Sequence, residues 1–215
     1  MPIERRLVVG FFVLAATWAV AFNVEALPFF PTVVVGGLVT GAFGLWARAA
    51  CPPGTLPPFA VTPAQAALAL GVGLVHVAVS HVVFDLGDAL LPAIGDTATG
   101  IYERTRDTPL VPRLILSGLL TAPLEEVFWR GAFQPAVGAA ATRRFPRSPR
   151  ALVAVAVSTI GYTLFHVATL RISLVAAAAL GGLVWAWLLE RTRTVGAPII
   201  AHAVWTTLLV LFPVV

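Results

Sequence analysis

The sequence predicts an all-α fold, a polytopic transmembrane helical bundle that forms a single integral-membrane domain over residues 1–215. Of its 215 residues 59% are hydrophobic and only 11% are charged, and the mean hydropathy is +0.92. This composition is too apolar for a soluble domain of that size. The apolar residues also fall into about seven stretches, each near the roughly 20 residues that cross the hydrocarbon core. We therefore expect about seven spanning helices.

The longest connection between these stretches lies before the fourth. There, the segment from Asp85 to Thr108 predicts an outer loop with a short surface helix around Ile101 to Arg106. In the second stretch, Gly37 and Gly41 form a Gly-x-x-x-Gly pattern, which permits close helix packing within the bundle or between protomers. The predicted spans are Leu7 to Phe22, Phe29 to Trp46, Pro63 to Phe84, Leu110 to Val137, Ala151 to Leu170, Ile172 to Leu189 and Ala197 to Val215.

The distribution of arginine predicts the orientation of the chain. The net charge of +4 comes entirely from arginine, which sets topology in membrane proteins, so we do not expect nucleic-acid binding. A cytoplasmic N-terminus places most arginines in inner loops, and the cluster from Arg143 to Arg150 is the clearest inside marker. Trp185 and Trp187, near an inner helix end, are interpreted as interfacial anchors. We expect residence in a prokaryotic inner membrane.

The fourth stretch carries the most informative residues, Glu125, Glu126 and Arg130. Placing each such charge at mid-bilayer costs on the order of 2.5 to 3.5 kcal/mol, so the segment is a functional-site hypothesis by default. Glu126 and Arg130 are four residues apart and share a helix face, which favours an ion pair. Glu125 projects about 100° away, which leaves its carboxylate free to take a proton from water and pass it to a leaving group.

Two later stretches supply possible partners for that carboxylate. Tyr162 and His166 are four residues apart on one helix, and His202 and Thr206 are four apart on another, so each pair shares a face. A single intramembrane histidine is usually a hydrogen-bonding group between helices, which is the role expected for His76 and His81. Three helices that all carry polar side chains are instead expected to converge on one pocket, because hydrocarbon offers those side chains no partners.

These motifs resemble the family of CAAX prenyl proteases and bacteriocin-processing enzymes, also called CPBP or Abi, over roughly the C-terminal half of the chain. Its pattern is Glu-Glu-x-x-x-Arg, then Phe-x-x-x-His, then His-x-x-x-Asn or Asp. Here Tyr162 replaces the usual phenylalanine, a mild change, and Thr206 replaces the Asn or Asp, a larger one. The family includes divergent branches such as the myxosortase-like enzymes, and this chain is a candidate for such a branch with specialised substrates. The residues that match the pattern are Glu125, Glu126, Arg130, His166 and His202.

The resemblance implies a catalytic role for four residues. Glu125 and His166 would activate a water, while His202 and Thr206 would stabilise the oxyanion. If Thr206 is a weaker donor, the loss is of order 2.7 to 4 kcal/mol. The family resemblance also implies a metal-free, glutamate-type mechanism, so we expect no cofactor. Zinc held by Glu125, His166 and His202 is the alternative, since three protein ligands plus water is a usual catalytic set.

The function predicted from the sequence is intramembrane proteolysis by active-site helices within residues 110–215. The substrate would be a membrane-anchored protein or lipopeptide, cleaved near its C-terminus at the surface of the lipid bilayer or within it. A proton-coupled carrier is disfavoured, because the chain shows no internal repeat or paired broken helices. A catalytically silent scaffold or immunity protein is the other alternative, and Thr206 is the feature that favours it.

Overall fold

The structure, a computed structural model, describes residues 1–144 and 149–215. Within these ranges the chain forms eight helices and no strands, which confirms the predicted all-α bundle. The fifth helix, α5, is a continuous helical run over residues 110–144. The other helices are α1 (Ile3–Asn23), α2 (Phe29–Arg48), α3 (Pro63–Leu90), α4 (Ala93–Thr105), α6 (Arg150–Val167), α7 (Ile172–Thr192) and α8 (Gly196–Leu211).

Five of these helices, α1, α2, α3, α6 and α7, are long and apolar enough to cross a membrane. The protein is therefore an integral membrane protein. Helix α8 is also apolar but has only 16 residues, so the count of seven spans stays a prediction. In the basic cluster, Arg144 ends α5 and Arg150 begins α6, whereas Arg147 lies outside the described residues. The predicted cytoplasmic N-terminus likewise stays a prediction.

The connection between α3 and α5 differs from its prediction. Residues 85–90 continue α3, and α4 begins at Ala93 rather than near Ile101, so the predicted long loop was wrong in extent. The reason is a tertiary contact: a carboxylate oxygen of Asp88 accepts a hydrogen bond of 2.9 Å from the N–H of Gly95. This contact ties the start of α4 to the end of α3. Ala98 on α4 is also buried.

Helix α5 contains two wide turns that flank its Glu-Glu segment. The N–H of Ala122 bonds to the carbonyl of Ser117, and the N–H of Gln134 bonds to that of Trp129, in each case five residues back. Pro123 has no N–H to donate inside this helix, which accounts for a break in the regular pattern beside it. The helix is α-helical over Leu110–Arg113, Ala122–Phe128 and Gln134–Arg144 and π-helical over Leu114–Thr121 and Trp129–Phe133.

Glycines on α2 hold this segment of α5 in place. A Cβ atom at Gly37 would lie 3.3 Å from the Cα of Thr121, and one at Gly44 would lie 2.7 Å from the backbone nitrogen of Phe128. The Gly-x-x-x-Gly face therefore packs within the bundle, against α5. Because these glycines have no side chains, the backbones of α2 and α5 can approach closely. Small residues have the same effect in other pairs of membrane helices. The Glu-Glu segment is thus fixed in position and faces the interior of the bundle.

Candidate active site

Five of the seven site residues predicted from the sequence meet around one cavity between the helices. Its volume is about 230 Å³, and its wall includes residues from α5, α6 and α8. Glu125, His166 and His202 are nearly buried, with 5%, 7% and 5% of their surfaces exposed. The predicted site residues on the cavity wall are Glu125, Tyr162, His166, His202 and Thr206. Helices α1 and α2 also contribute to the wall, through Trp18 and Phe30, so the cavity extends beyond residues 110–215.

Glu126 is the centre of a buried charge network behind the cavity. Its Oε1 atom lies 3.2 Å from a terminal nitrogen of Arg130 and 2.9 Å from Nδ1 of His202. Both Glu126 and Arg130 are fully buried. The second terminal nitrogen of Arg130 donates to the carbonyl of Gly182 on α7 at 2.9 Å. The network therefore joins α5, α7 and α8, and it sets the position of the His202 ring.

Glu125 has a different set of partners on α6. The hydroxyl of Tyr162 donates a hydrogen bond to Oε2 of Glu125. The ring of Tyr162 also packs edge to face on His166, with 4.5 Å between ring centroids. Nδ1 of His166 lies 2.9 Å from the backbone carbonyl of Tyr162. Because a carbonyl oxygen only accepts, Nδ1 carries the proton, which leaves the lone pair of neutral His166 on Nε2.

Trp185 is part of this site, which the sequence interpretation missed. It is 1% exposed and stacks face to face on the His202 ring, with centroids 3.6 Å apart and planes inclined by 18°. Its predicted role as an interfacial anchor was therefore wrong. Trp187 is 46% exposed, as the same prediction requires.

His76 also departs from its predicted role. It was expected to form a structural hydrogen bond, but neither of its ring nitrogens has a hydrogen-bond partner among the described residues. Its ring instead packs between two tryptophans. It lies edge to face on Trp185, with ring centroids 5.7 Å apart, and stacks on Trp205, with centroids 5.3 Å apart. His76 therefore supports the aromatic wall behind His202.

A second missed residue is Gln134, one turn beyond Arg130 on α5. Its side chain is fully buried, and its Nε2 donates to the carbonyl of Ala186 at 2.9 Å. Arg130 and Gln134 thus bond to carbonyls four residues apart on α7. The helical spacing from Glu126 through Arg130 to Gln134 is visible in the sequence. Only packing shows that this face lies against α7.

The described residues contain no group of three or more His, Cys, Asp or Glu side chains arranged to hold a metal ion. Each of the three candidate zinc ligands has a hydrogen-bond partner in the protein. Nδ1 of His166 faces a backbone carbonyl and Nδ1 of His202 faces Glu126, while Glu125 accepts from Tyr162. Metal-ligating histidines also have carbonyl or carboxylate partners at their second ring nitrogen, so these contacts are compatible with either mechanism.

Fold and site together define a class: a helical membrane protein with a buried acid–histidine site open to an internal cavity. The comparison with family models is specific. The model described as "Type II CAAX prenyl endopeptidase Rce1-like" matches residues 107–208, which include every predicted site residue. Residues 107–208 are thus similar to the Rce1-like type II CAAX prenyl endopeptidases, which confirms the resemblance at the family level. No curated protein and no solved structure matches the chain significantly.

The family match supports a CAAX-type intramembrane endopeptidase. It also supports a membrane protein as substrate and the lipid bilayer as the setting of the reaction. The match does not distinguish the myxosortase-like branch. The family match does not assign roles to individual residues, and these depend on the geometry of the cavity.

Proposed function

We propose that this protein is a glutamate-type intramembrane endopeptidase that cleaves a membrane-anchored or lipidated protein near its C-terminus. The observation that carries the proposal is the meeting of Glu125, His166, His202 and Thr206 on the wall of one cavity. These residues come from three helices and are separated by up to 81 positions in the sequence. Their convergence gives a buried general base, a second base, and two groups suited to an oxyanion.

In the proposed reaction, Glu125 and the Nε2 atom of His166 hold a water by accepting its two hydrogen bonds. The water oxygen attacks the carbonyl carbon of the scissile bond as Glu125 takes a proton from it. The resulting tetrahedral intermediate carries its negative charge on the former carbonyl oxygen. When the C–N bond breaks, Glu125 returns the proton to the leaving amine, so the enzyme ends the cycle in its starting state.

His202 and Thr206 are proposed to stabilise the oxyanion. Nδ1 of His202 faces the Glu126 carboxylate, so a donor at Nε2 requires the doubly protonated imidazolium. Glu126 supplies the counter-charge for that cation, and the face of Trp185 supplies a cation–π contact. Thr206, one turn further along α8, adds a hydroxyl to the same wall. Donors fixed in advance are the arrangement that stabilises a developing charge best.

Two alternatives remain testable beside this proposal. A zinc-dependent protease would use Glu125, His166 and His202 as ligands. A catalytically silent scaffold would keep the fold with a degraded site, and the short side chain of Thr206 is the observation that favours it. Each alternative predicts a different response to chelation and to substitution of Glu125.

The experiment measures hydrolysis of N-palmitoylated peptide pools by purified protein in lipid nanodiscs, with and without a strong chelator. The variant Glu125→Gln keeps the size of the side chain and an oxygen that accepts from Tyr162, but it removes the base. We expect kcat to fall by about 10²- to 10⁴-fold. Glu103→Gln, at an exposed carboxylate on α4, is the matched control and should cleave as the wild type does.

Loss of activity in Glu125→Gln that is indifferent to chelation supports the glutamate-type reaction. Loss of wild-type activity on chelation, with recovery on adding Zn²⁺, would favour the zinc alternative. If the wild type cleaves no pool above the level of Glu125→Gln, the endopeptidase proposal fails for these substrates and the scaffold is favoured. Thermal unfolding of each variant shows whether a loss reflects chemistry or folding.

A further inference from the structure

A polar stripe leads along α5 from one end of the cavity to Glu125. Arg113, Ser117, Thr121 and Glu125 are spaced four residues apart, and all four line the cavity. In a regular α-helix of 3.6 residues per turn, residues four apart drift around the axis. The π-helical turns of α5, with their i→i+5 bonds, hold more residues per turn and reduce that drift. The wide turns therefore keep the stripe on one face.

Arg113 is a cation on this wall, and it has no counter-ion among the residues that the structure describes. Within residues 1–144 and 149–215, no carboxylate lies within ion-pair distance of its guanidinium. Its Nε atom is buried and has no hydrogen-bond partner there. An arginine that only contacts lipid headgroups would hold its nitrogens in water or at the membrane surface. The side chain of Arg113 instead contributes to the same cavity as Glu125.

We propose that Arg113 binds a carboxylate of the substrate and so sets which peptide bond reaches Glu125. This inference rests on the proposed endopeptidase function. A guanidinium binds a carboxylate through paired N–H donors, which gives both strength and orientation. The carboxylate is either the chain terminus of the substrate or an acidic side chain.

The length of the stripe gives the distance of this carboxylate from the cleaved bond. Three steps of four residues along a helix correspond to roughly 18 Å, and π-helical turns shorten the path somewhat. An extended peptide advances about 3.3 Å per residue. The bound carboxylate therefore lies about five residues from the scissile bond, measured along an extended substrate. Ser117 and Thr121 offer hydroxyl groups to the peptide between these two points.

The first arm of the test measures binding, which does not depend on catalysis. Fluorescent N-palmitoylated peptides are titrated onto the Glu125→Gln protein in phosphatidylcholine nanodiscs, each peptide as the free C-terminal acid and as the amide. We expect the acid to bind roughly 10- to 100-fold more tightly, as for a hydrogen-bonded ion pair in a partly buried site. Adding Arg113→Gln should abolish the preference. Arg106→Gln, which removes a charge from an exposed side chain nearby, should preserve it.

A second set of amidated peptides places one glutamate at successive positions and identifies the source of the carboxylate. Preference for the free acid assigns the chain terminus, and preference for one internal glutamate assigns an acidic side chain. Either result supports the proposal if Arg113→Gln removes it and Arg113→Lys keeps part of it.

The second arm measures cleavage and its position by mass spectrometry. The wild type should show the same preference in KM, with the cut about five residues from the carboxylate. Equal binding of acid, amide and all glutamate peptides would overturn the proposal, and so would a preference that survives Arg113→Gln. An effect of Arg113→Gln confined to phosphatidylglycerol nanodiscs would mean that the arginine binds a lipid phosphate, which also overturns it. Carboxylate-selective binding without cleavage would refute the endopeptidase function alone.

Discussion

Replacing Glu126 with glutamine tests whether the buried network organises the site. The substitution keeps the size of the side chain but removes the charge that faces Arg130 at 3.2 Å and His202 at 2.9 Å. Arg130 is fully buried, and in the variant its one remaining strong hydrogen bond would be to the carbonyl oxygen of Gly182. Breaking a buried pair by removing one partner costs about 3 to 5 kcal/mol. We expect Glu126→Gln to lower the free energy of unfolding by that amount.

The assay is equilibrium unfolding in mixed micelles, followed by helical circular dichroism as denaturing detergent is added. Glu4→Gln is the matched control, because Glu4 pairs with Arg143 at 3.5 Å where both side chains are more than half exposed. An exposed pair contributes at most about 1 kcal/mol. The contrast between the two variants therefore separates burial of the pair from the chemical change itself.

A double variant separates stability from catalysis. Glu126→Leu combined with Arg130→Met replaces the ion pair by apolar side chains, which is often neutral for stability. It should recover most of the stability lost in Glu126→Gln. Cleavage should stay low, because Nδ1 of His202 has lost its carboxylate. The reasoning is refuted if Glu126→Gln unfolds with the wild-type free energy, or if the double variant cleaves at the wild-type rate.

Three further substitutions test separate contacts. Trp185→Leu removes the face on which His202 stacks and should lower kcat about 2- to 10-fold, since such ring pairs contribute roughly 0.5 to 1.5 kcal/mol, whereas Trp187→Leu should not. Thr206→Asn supplies a longer donor and should raise kcat, by at most the roughly 10²- to 10³-fold that one oxyanion donor contributes elsewhere. Gly44→Ala forces a methyl group against the backbone of α5 and should destabilise the fold by about 1 to 3 kcal/mol, measured by the same unfolding assay.

For each of these three substitutions, a different result would contradict the proposed contact. Equal kcat values for the two tryptophan variants would remove Trp185 from the site. No gain from Thr206→Asn in an active enzyme would mean that another group supplies the oxyanion donor, and continued inactivity would favour the scaffold. For the glycine, the control is Gly71→Ala, where a Cβ atom meets nothing within 4 Å. A loss of stability there as large as at Gly44 would show that packing against α5 is not the cause.

Pairs within one helix were predicted from spacing alone, whereas the convergence of three helices was predicted because hydrocarbon offers polar side chains no partners. The pairing of Glu126 with Arg130 follows from a spacing of four on one helix, so no tertiary information was needed. The tryptophans show the limit. An aromatic residue near a helix end indicates depth in the membrane but not rotation about the helix axis. Trp185 and Trp187 are two positions apart, so they project to nearly opposite faces. One faces the cavity and the other faces outward, and only packing decides which.

Tyr162 shows how a small departure from a family pattern acquires a role from tertiary structure. Relative to phenylalanine it adds one hydroxyl, which looks mild in the sequence. In the folded protein that hydroxyl donates to Glu125, while the backbone carbonyl of the same residue fixes the tautomer of His166. The carbonyl contact is independent of the side chain, so a phenylalanine would orient His166 equally well. The tyrosine hydroxyl therefore affects only the Glu125 carboxylate. In this chain Glu125 accepts a hydrogen bond that a phenylalanine, the usual residue of the motif, would not supply.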